Sequence, residues 1–492
     1  MNKKQDFINF LKAVLILLIL ILPFSTLFSQ QWTEPITISF EEGINQTPYH
    51  TIDTNGIVHL VWMHKYNQQH TEIFYRRSFD YGLTWDTIID ISKNDTGFVY
   101  APTIACNDTS EILVAWELNA YSPEVYSSFY SNDQWSLPLH LSEGLPGSSN
   151  ENRCIVDSDG RYYVFWHNTF HKCGYKDTDN FSMPWSDFNT PYGDSTAVFF
   201  LWDFSLDNFN NLHWTGVKYY SDSPSLAKMT YYIYNKETDS WSLPELLTTN
   251  YVNVFFDITL DTAQNPHIAW REREQTPPIE HDFTFYRFFD GIEWTETELV
   301  VEDPKDQQIA IDGQNRKHIV QREKTPSGYQ IVHYTKTDNE WLVGEIVDAA
   351  DSYLYKLKLT YYENMLFLTY SHQNDDDVDP LVTKFSRYDI ITAKEEYKSH
   401  LLPECKLWPN PFANRLSMEV ETMQHARLWV YITDLSGRLV KEINNNELPR
   451  GKYSFVWDGT NQNGHKMPPG SYLIRMVSGK YQLTKVVQMI NS

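Results

Sequence analysis

Cysteine is scarce here: four residues in a chain of 492, at Cys106, Cys154, Cys173 and Cys405. So few exclude a disulfide-stapled scaffold, and no metal-type Cys/His spacing accompanies them. Cys154 and Cys173 fall within one repeat and are the only plausible bridge. Small buried apolar side chains are the competing reading. Basic residues are also in deficit, with 40 Lys and Arg against 64 Asp and Glu and a formal net charge of −24. Such a surface repels phosphate backbones and anionic headgroups, which argues against nucleic acid and membranes as partners. Nothing in the chain calls for a cofactor or a metal.

One long apolar run exists, and it lies at the start. Lys3, Lys4 and Lys12 precede an unbroken apolar stretch from Ala13 to Leu22, Pro23 ends it, and Ser25, Ser29, Gln30 and Gln31 follow. The run falls short of the roughly 20 residues that span a bilayer. Residues 1–31 therefore read as a signal peptide. No Cys follows to carry a lipoprotein anchor, and no later segment is apolar enough to span.

Aromatics are plentiful, at 15% of residues, which favours strands because flat side chains pack well on a pleated surface. They recur in register. An Asp–Gly turn leads into an apolar strand that carries His and ends at Trp: Asp53-Thr-Asn-Gly-Ile-Val-His59-Leu-Val-Trp62, then Asp157 to Trp166, then Asp261 to Trp270. Degenerate copies end at Trp116, Gly216, Gln321 and Tyr370, giving successive steps of 54, 50, 50, 54, 51 and 49 residues. A second motif, often Trp-Ser-x-Pro, interleaves at Trp32, Trp85, Trp135, Trp185, Trp241, Trp294 and Trp341. A Tyr-rich strand lies between the two. Each unit holds three clear strands and room for a fourth, the signature of a propeller blade. The second motif starts one strand early and is missing after Tyr370. The strand from Trp32 to Ser39 is therefore expected to complete the last unit, leaving no open sheet edge. The expected fold is all-β, a seven-bladed β-propeller over residues 32–400 followed by a small immunoglobulin-like β-sandwich.

Ser78-Phe-Asp80-Tyr-Gly82-Leu-Thr84-Trp85 resembles the Asp box of sialidase-type propellers. The match is complete in this unit alone. In that family the box is a folding device away from the active site, so the resemblance implies a fold and not sialidase activity. No Arg-x-Pro occurs, and the first half of the repeats has only Arg76, Arg77, Arg153 and Arg161.

The repeat stops near Cys405. Leu407-Trp-Pro-Asn-Pro-Phe412 opens a new pattern, followed by Val430 to Val440, Leu448 to Gly451, Tyr453 to Gly459, Asn463-Gly464, Pro469 to Leu473 and Lys485 to Val487. Order and spacing resemble the C-terminal sorting domain of type IX secretion, with Trp408 in place of the usual Tyr, and also the immunoglobulin-like domain of flagellar hook-capping proteins. The resemblance implies that residues 405–492 engage the type IX machinery and deliver the chain outside the cell or onto its surface. The short alternating runs and turn residues read independently as a sandwich. Asp458 to Gly464 superficially matches a calcium loop but lacks the bidentate carboxylate, so a turn is expected.

Chemistry is harder to read. His59, His213, His267 and His318 all sit six residues after the Asp that opens their repeat, and a periodic residue of this kind is expected to bond its own turn. The residues just beyond the His-bearing strands are His64, Glu117, His167, Lys218, Arg271, Arg322 and His372. The propeller fold would gather them at one mouth of the central channel, where converging polar groups make the default ligand site. A solvated rim of mixed charge is the competing reading. Blade one also carries His64, His70, Tyr75, Arg76 and Arg77, which weakly resemble the His, Tyr and Arg of propeller-type polysaccharide lyases. There an Arg would neutralise a uronate while Tyr or His removes the neighbouring proton. The run Asp375 to Asp379 reads as a solvated acidic loop. No acid/base pair stands out, so a non-catalytic binder of an extracellular glycan or protein is favoured over a polysaccharide-degrading lyase or hydrolase. The sorting resemblance has a direct test: a chain lacking residues 405–492 should accumulate in the periplasm of a type IX-competent host, as read by cell fractionation.

Overall fold

The computed structural model describes residues 32–390 and 405–490, apart from 68–69, 94–96, 108–110, 120–121, 170–171, 180–184, 191–196, 221–222, 249–255, 275–280, 303, 337–339, 374–379, 423–425, 435–437, 449–450 and 479–480. The leader at 1–31 and the acidic run at 375–379 lie outside the described residues. All regular structure among the described residues is strand.

From residue 36 to residue 389 the described strands form seven separate antiparallel sheets. Sheet one holds Ile44–Ile52, Val58–Lys65, Thr71–Ser78 and Ile89–Asp90. Sheet two starts at Val99–Cys106, sheet three at Ser149–Val156 and sheet four at Ala197–Leu206. Sheets five and six start at Phe256–Leu260 and Pro304–Ile311. Sheet seven holds Tyr353–Tyr362, Met365–Gln373 and Val382–Asp389, and takes its outer strand from the other end of the repeats, Ile36–Thr37. Ile36 pairs with Phe385 and Thr37 with Lys384, and the Ser39 hydroxyl accepts the Thr383 N–H at 2.9 Å. First strands neighbour one another in order from sheet one to sheet seven, and that of sheet seven lies beside that of sheet one.

The second strand of each sheet is apolar on both faces because both are covered. Val58 to His64 is buried without a break, and Trp62, Trp116, Trp166, Trp270 and Tyr370 are among the largest fully buried side chains. Where the motif degenerates to Gln321, the buried amide is bonded on both sides, accepting from Thr284 Oγ1 at 3.0 Å and donating to Glu323 at 2.9 Å.

The Trp of the second motif wedges against the third strand of the preceding sheet. Trp135 meets Tyr75 at 5.0 Å, Trp294 meets Tyr231 at 5.1 Å and Trp341 meets Tyr286 at 5.2 Å, all near perpendicular. Trp32 repeats this contact for sheet seven, 5.6 Å from His333 of sheet six at 87°.

The opening Asp of each repeat staples its turn. Asp207, Asp261 and Asp312 each accept two backbone N–H bonds with one oxygen. Their other oxygen faces His213, His267 and His318 at 3.4–3.5 Å. His213 and His318 thus bond their own turns, and His267 faces the Asp of its turn. Successive turns are also linked. The left-handed residues Asn210, Gln264 and Asn315 (φ 62°, 69° and 60°) accept backbone N–H bonds from Ser158, Asn208 and Thr262 of the preceding turn. In the Ser78 to Trp85 segment, Asp80 accepts the Thr84 N–H at 2.8 Å and Ser78 Oγ accepts the Gly82 N–H at 2.8 Å. Trp85 donates its indole N–H to the Gly82 carbonyl at 3.1 Å, with Gly82 at φ 87°. Of the two readings left open for Cys154, the structure shows the buried thiol: it is free and buried, and in the backbone it pairs with Val164.

The C-terminal residues form two sheets around one core. Cys405–Trp408, Leu416–Thr422 and Gly451–Trp457 make one; Leu439–Leu448, Ala426–Thr433, Gly470–Ser478 and Tyr481–Met489 make the other. Trp457 is fully buried between Phe412 and Tyr472 at 5.2 and 5.0 Å. Asp458 accepts the Thr460 N–H and Asn461 accepts those of Asn463 and His465, a bonded turn of the expected kind.

Trp32→Ala removes the wedge between the closing strand and sheet six. Truncating a buried Trp costs about 3–5 kcal/mol, so thermal unfolding should show a clear fall in Tm. Asn315→Gly, which tolerates the backbone angle and loses the two exposed bonds from Thr262, should fall much less.

Candidate functional site

Of the seven residues at the ends of the second strands, the six whose side chains are described are all buried or half-buried. His64, Glu117 and His372 are buried, and His167, Arg271 and Arg322 are half-buried. The Lys218 side chain lies outside the described residues. His64 Nδ1 bonds Asn45 at 2.8 Å and His167 Nδ1 bonds Asn150 at 3.2 Å, each in its own sheet. Others cross to the next sheet. Glu117 accepts the Glu151 N–H at 2.7 Å, Arg271 donates to the Lys305 carbonyl at 2.8 Å, and Arg322 donates to the Leu354 carbonyl at 2.6 Å. His372 Nδ1 lies 2.9 Å from Asp348. Burial works to raise the Asp348 carboxyl, but bonds from His372 and Tyr370 outweigh it and hold the group at about 2. These side chains clasp sheets together because a buried polar group must find a partner.

The lyase-like set of blade one does not assemble. Tyr75 is buried against Trp135. Arg76 donates to the Asp86 carbonyl and Arg77 pairs with the Asp86 carboxylate at 3.1 Å. Tyr66, which the sequence reading passed over, stands instead with the two histidines, 4.5 Å from His64 and stacked 4.9 Å from His70.

What converges is a different row. One cavity of about 150 Å³ is lined from the first strands of all seven sheets. Thr103, Arg153, Asp203, Asp257, Gln308 and Lys358 each pair with the residue just before a motif-ending position: Ala115, Phe165, Thr215, Ala269, Val320 and Thr369. Tyr49 holds the matching place in sheet one, 54 residues before Thr103 and 13 before Trp62. Bulges in the first strands, with Thr47, Ala101, Glu151 and Lys356 at φ 50–59°, turn neighbouring side chains inward. Charge at a fixed phase of strands that should be core was the signal available in the sequence, stepping back 12 or 13 residues from each motif end.

The row is strongly coupled. Lys358 Nζ lies 4.8 Å over the Tyr49 ring. Burial opposes the Lys358 charge, yet Tyr49, Asp203 and Asp257 together hold it protonated. Burial, then the hydrogen-bonded Asp203, pushes the Asp257 carboxyl far up; its Oδ2 also accepts the Ile309 N–H at 2.5 Å. Burial and the nearby Lys358 drop His50 to about 3, leaving a neutral imidazole bonded to Thr369 at 2.9 Å. Arg153 donates to the Asn152 carbonyl at 2.9 Å and has no carboxylate within ion-pair distance among the described residues.

With this geometry established, comparison with known proteins gives the following. Residues 414–481 match the FlgD Ig-like domain family. No curated protein matches the chain. Among solved structures, an ulvan lyase of polysaccharide lyase family PL25 superimposes with a TM-score of 0.51 at 12% identity, over 71% of this chain and 95% of that one. A protein of unknown function from Dyadobacter fermentans gives 0.48 at 13% identity, over 73% and 99%. PorZ, a surface component of the type IX secretion system of Porphyromonas gingivalis, gives 0.44 at 12%, over 93% and 61%. The chain is an all-β protein with a propeller-like array of sheets and an immunoglobulin-like domain. At such identity the likeness to the lyase establishes fold and nothing of chemistry.

Burial, countered by Arg153 and Lys356 and reinforced by Glu117, pushes Glu151 from 4.5 up to about 7. Between those values the native state keeps a proton that the unfolded chain has released, so this group's contribution to stability falls as pH rises through the window. Glu151→Gln should flatten that decline, measured as the Tm difference between about pH 5 and about pH 8.

Proposed function

We propose that residues 32–400 are an exported seven-bladed β-propeller that binds an extracellular glycan or protein, preceded by a signal peptide at 1–31 and carried by a type IX sorting domain at 405–492. The observation that carries the propeller reading is the single cavity to which all seven first strands contribute. The ligand face is the one framed by His64, Glu117, His167, Lys218, Arg271, Arg322 and His372, whose clasps would keep the mouth rigid. A polysaccharide is the first ligand class to test, since the ulvan lyase of similar fold acts on one. A binding role is favoured over catalysis because the groups expected to do acid/base work are committed to protein partners.

A polysaccharide lyase is the second reading. Tyr66 supports it, 53% exposed and stacked on His70. Against it, burial and then Glu72 hold the Tyr66 hydroxyl up at about 12, far from a base at neutral pH. A glycan array on the full chain, paired with a screen of uronate polysaccharides for the ultraviolet absorbance of unsaturated products, separates the two. Binding without product formation is expected; turnover abolished by Tyr66→Phe would establish the lyase.

A further inference from the structure

The cavity at the meeting point of the seven first strands does not have the composition of a plug. A plug of charges would be neutralised internally, because an uncompensated buried ion is costly. Here the charged lining is Arg153, Lys358 and the exposed Lys356 against Asp203 and Asp306, in a chain with 24 more acids than bases. Asp306 is already taken, accepting the Lys356 N–H at 2.9 Å. Asp203 is hydrogen-bonded to Asp257. Arg153 is left with one backbone bond and no ion pair among the described residues. Tyr49 and Phe256 supply apolar surface beside it.

We propose that this cavity binds a single carboxylate-bearing sugar ring, with the Arg153 guanidinium gripping the carboxylate. The inference rests on the glycan-binding reading above and gives it a site. Arg presents a planar fork that matches a carboxylate bidentately. The Lys358 ammonium adds charge, and Asp203 and Gln308 offer acceptors for ring hydroxyls. The Tyr49 and Phe256 rings face the apolar side of a pyranose. Size narrows the class further. A volume of about 150 Å³ is roughly five water volumes and lies below the roughly 300 Å³ at which drug-sized ligand pockets begin. It admits one ring or the end of a chain, and excludes an oligosaccharide lying within.

Calorimetric titration of the full chain with glucuronic acid, galacturonic acid and glucose tests this. One of the uronic acids should bind at least tenfold tighter than glucose, and Arg153→Met should remove that preference while leaving Tm close to the parent's. Arg153→Lys, which keeps charge without the fork, should retain part of it. Equal binding of glucose and both uronic acids, no uronate binding by the folded parent at millimolar concentration, or an unchanged preference in a folded Arg153→Met chain would each overturn the assignment. The glycan-binding reading fails separately, if the parent binds nothing on the array. Array binding that survives Arg153→Met leaves that reading standing and removes only the cavity.

Discussion

The second strand of each sheet is apolar on both faces, and that single constraint organises the seven sheets. A sheet of three or four strands in this state cannot persist in water alone; it must be covered twice. Each sheet here is covered by its neighbours, and the aromatic wedge of each closing strand, Trp135 on Tyr75 or Trp341 on Tyr286, is placed where the two meet. The arrangement tolerates no first or last member. A chain that builds its sheets in order has an uncovered face at each end unless the ends meet. The pairing of Ile36–Thr37 with Val382–Asp389 meets this requirement.

Polar groups serve the same constraint at two levels. On the turns, an Asp carboxylate gathers backbone N–H groups, and a left-handed Asn or Gln hands the chain of bonds to the next turn. Near the opposite strand ends, Glu117, Arg271 and Arg322 reach across to backbone groups of the following sheet. Charged side chains that bond main chain rather than each other need only the position of the neighbouring strand, not its sequence. Low identity among similar folds is compatible with such a scheme.

Much of the fold was legible because burial recurs with a fixed step. The Trp positions marked the sheets, and the missing eighth Trp pointed to the closing strand. The site was legible only in part. His64 to His372 were singled out because charge follows an apolar run, which is equally what a clasp requires; from the sequence, a side chain that meets solvent and one that meets a neighbouring carbonyl look the same. Tyr49 and Lys358 escaped because first strands lack a Trp to mark their phase, and a bulge of one residue shifts which side chains face inward. Tyr75 misled for the opposite reason, since it sits beside two arginines in the chain while strand alternation sends it to the wedge.

The closing strand also sets when this molecule can become whole. Residues Thr33 and Arg387 are hydrogen-bonded neighbours, so the earliest part of the array and the latest must find each other across nearly its entire length. The entropy of closing so long a loop grows only slowly with length, but the contact cannot begin to form until the final sheet has been synthesised. Until then Trp32 can meet His333 of sheet six but lacks its other aromatic neighbour, Tyr388 of the last sheet. A chain interrupted short of Val382 is therefore not a smaller version of the protein but an open one, exposing the surfaces that invite association with other chains.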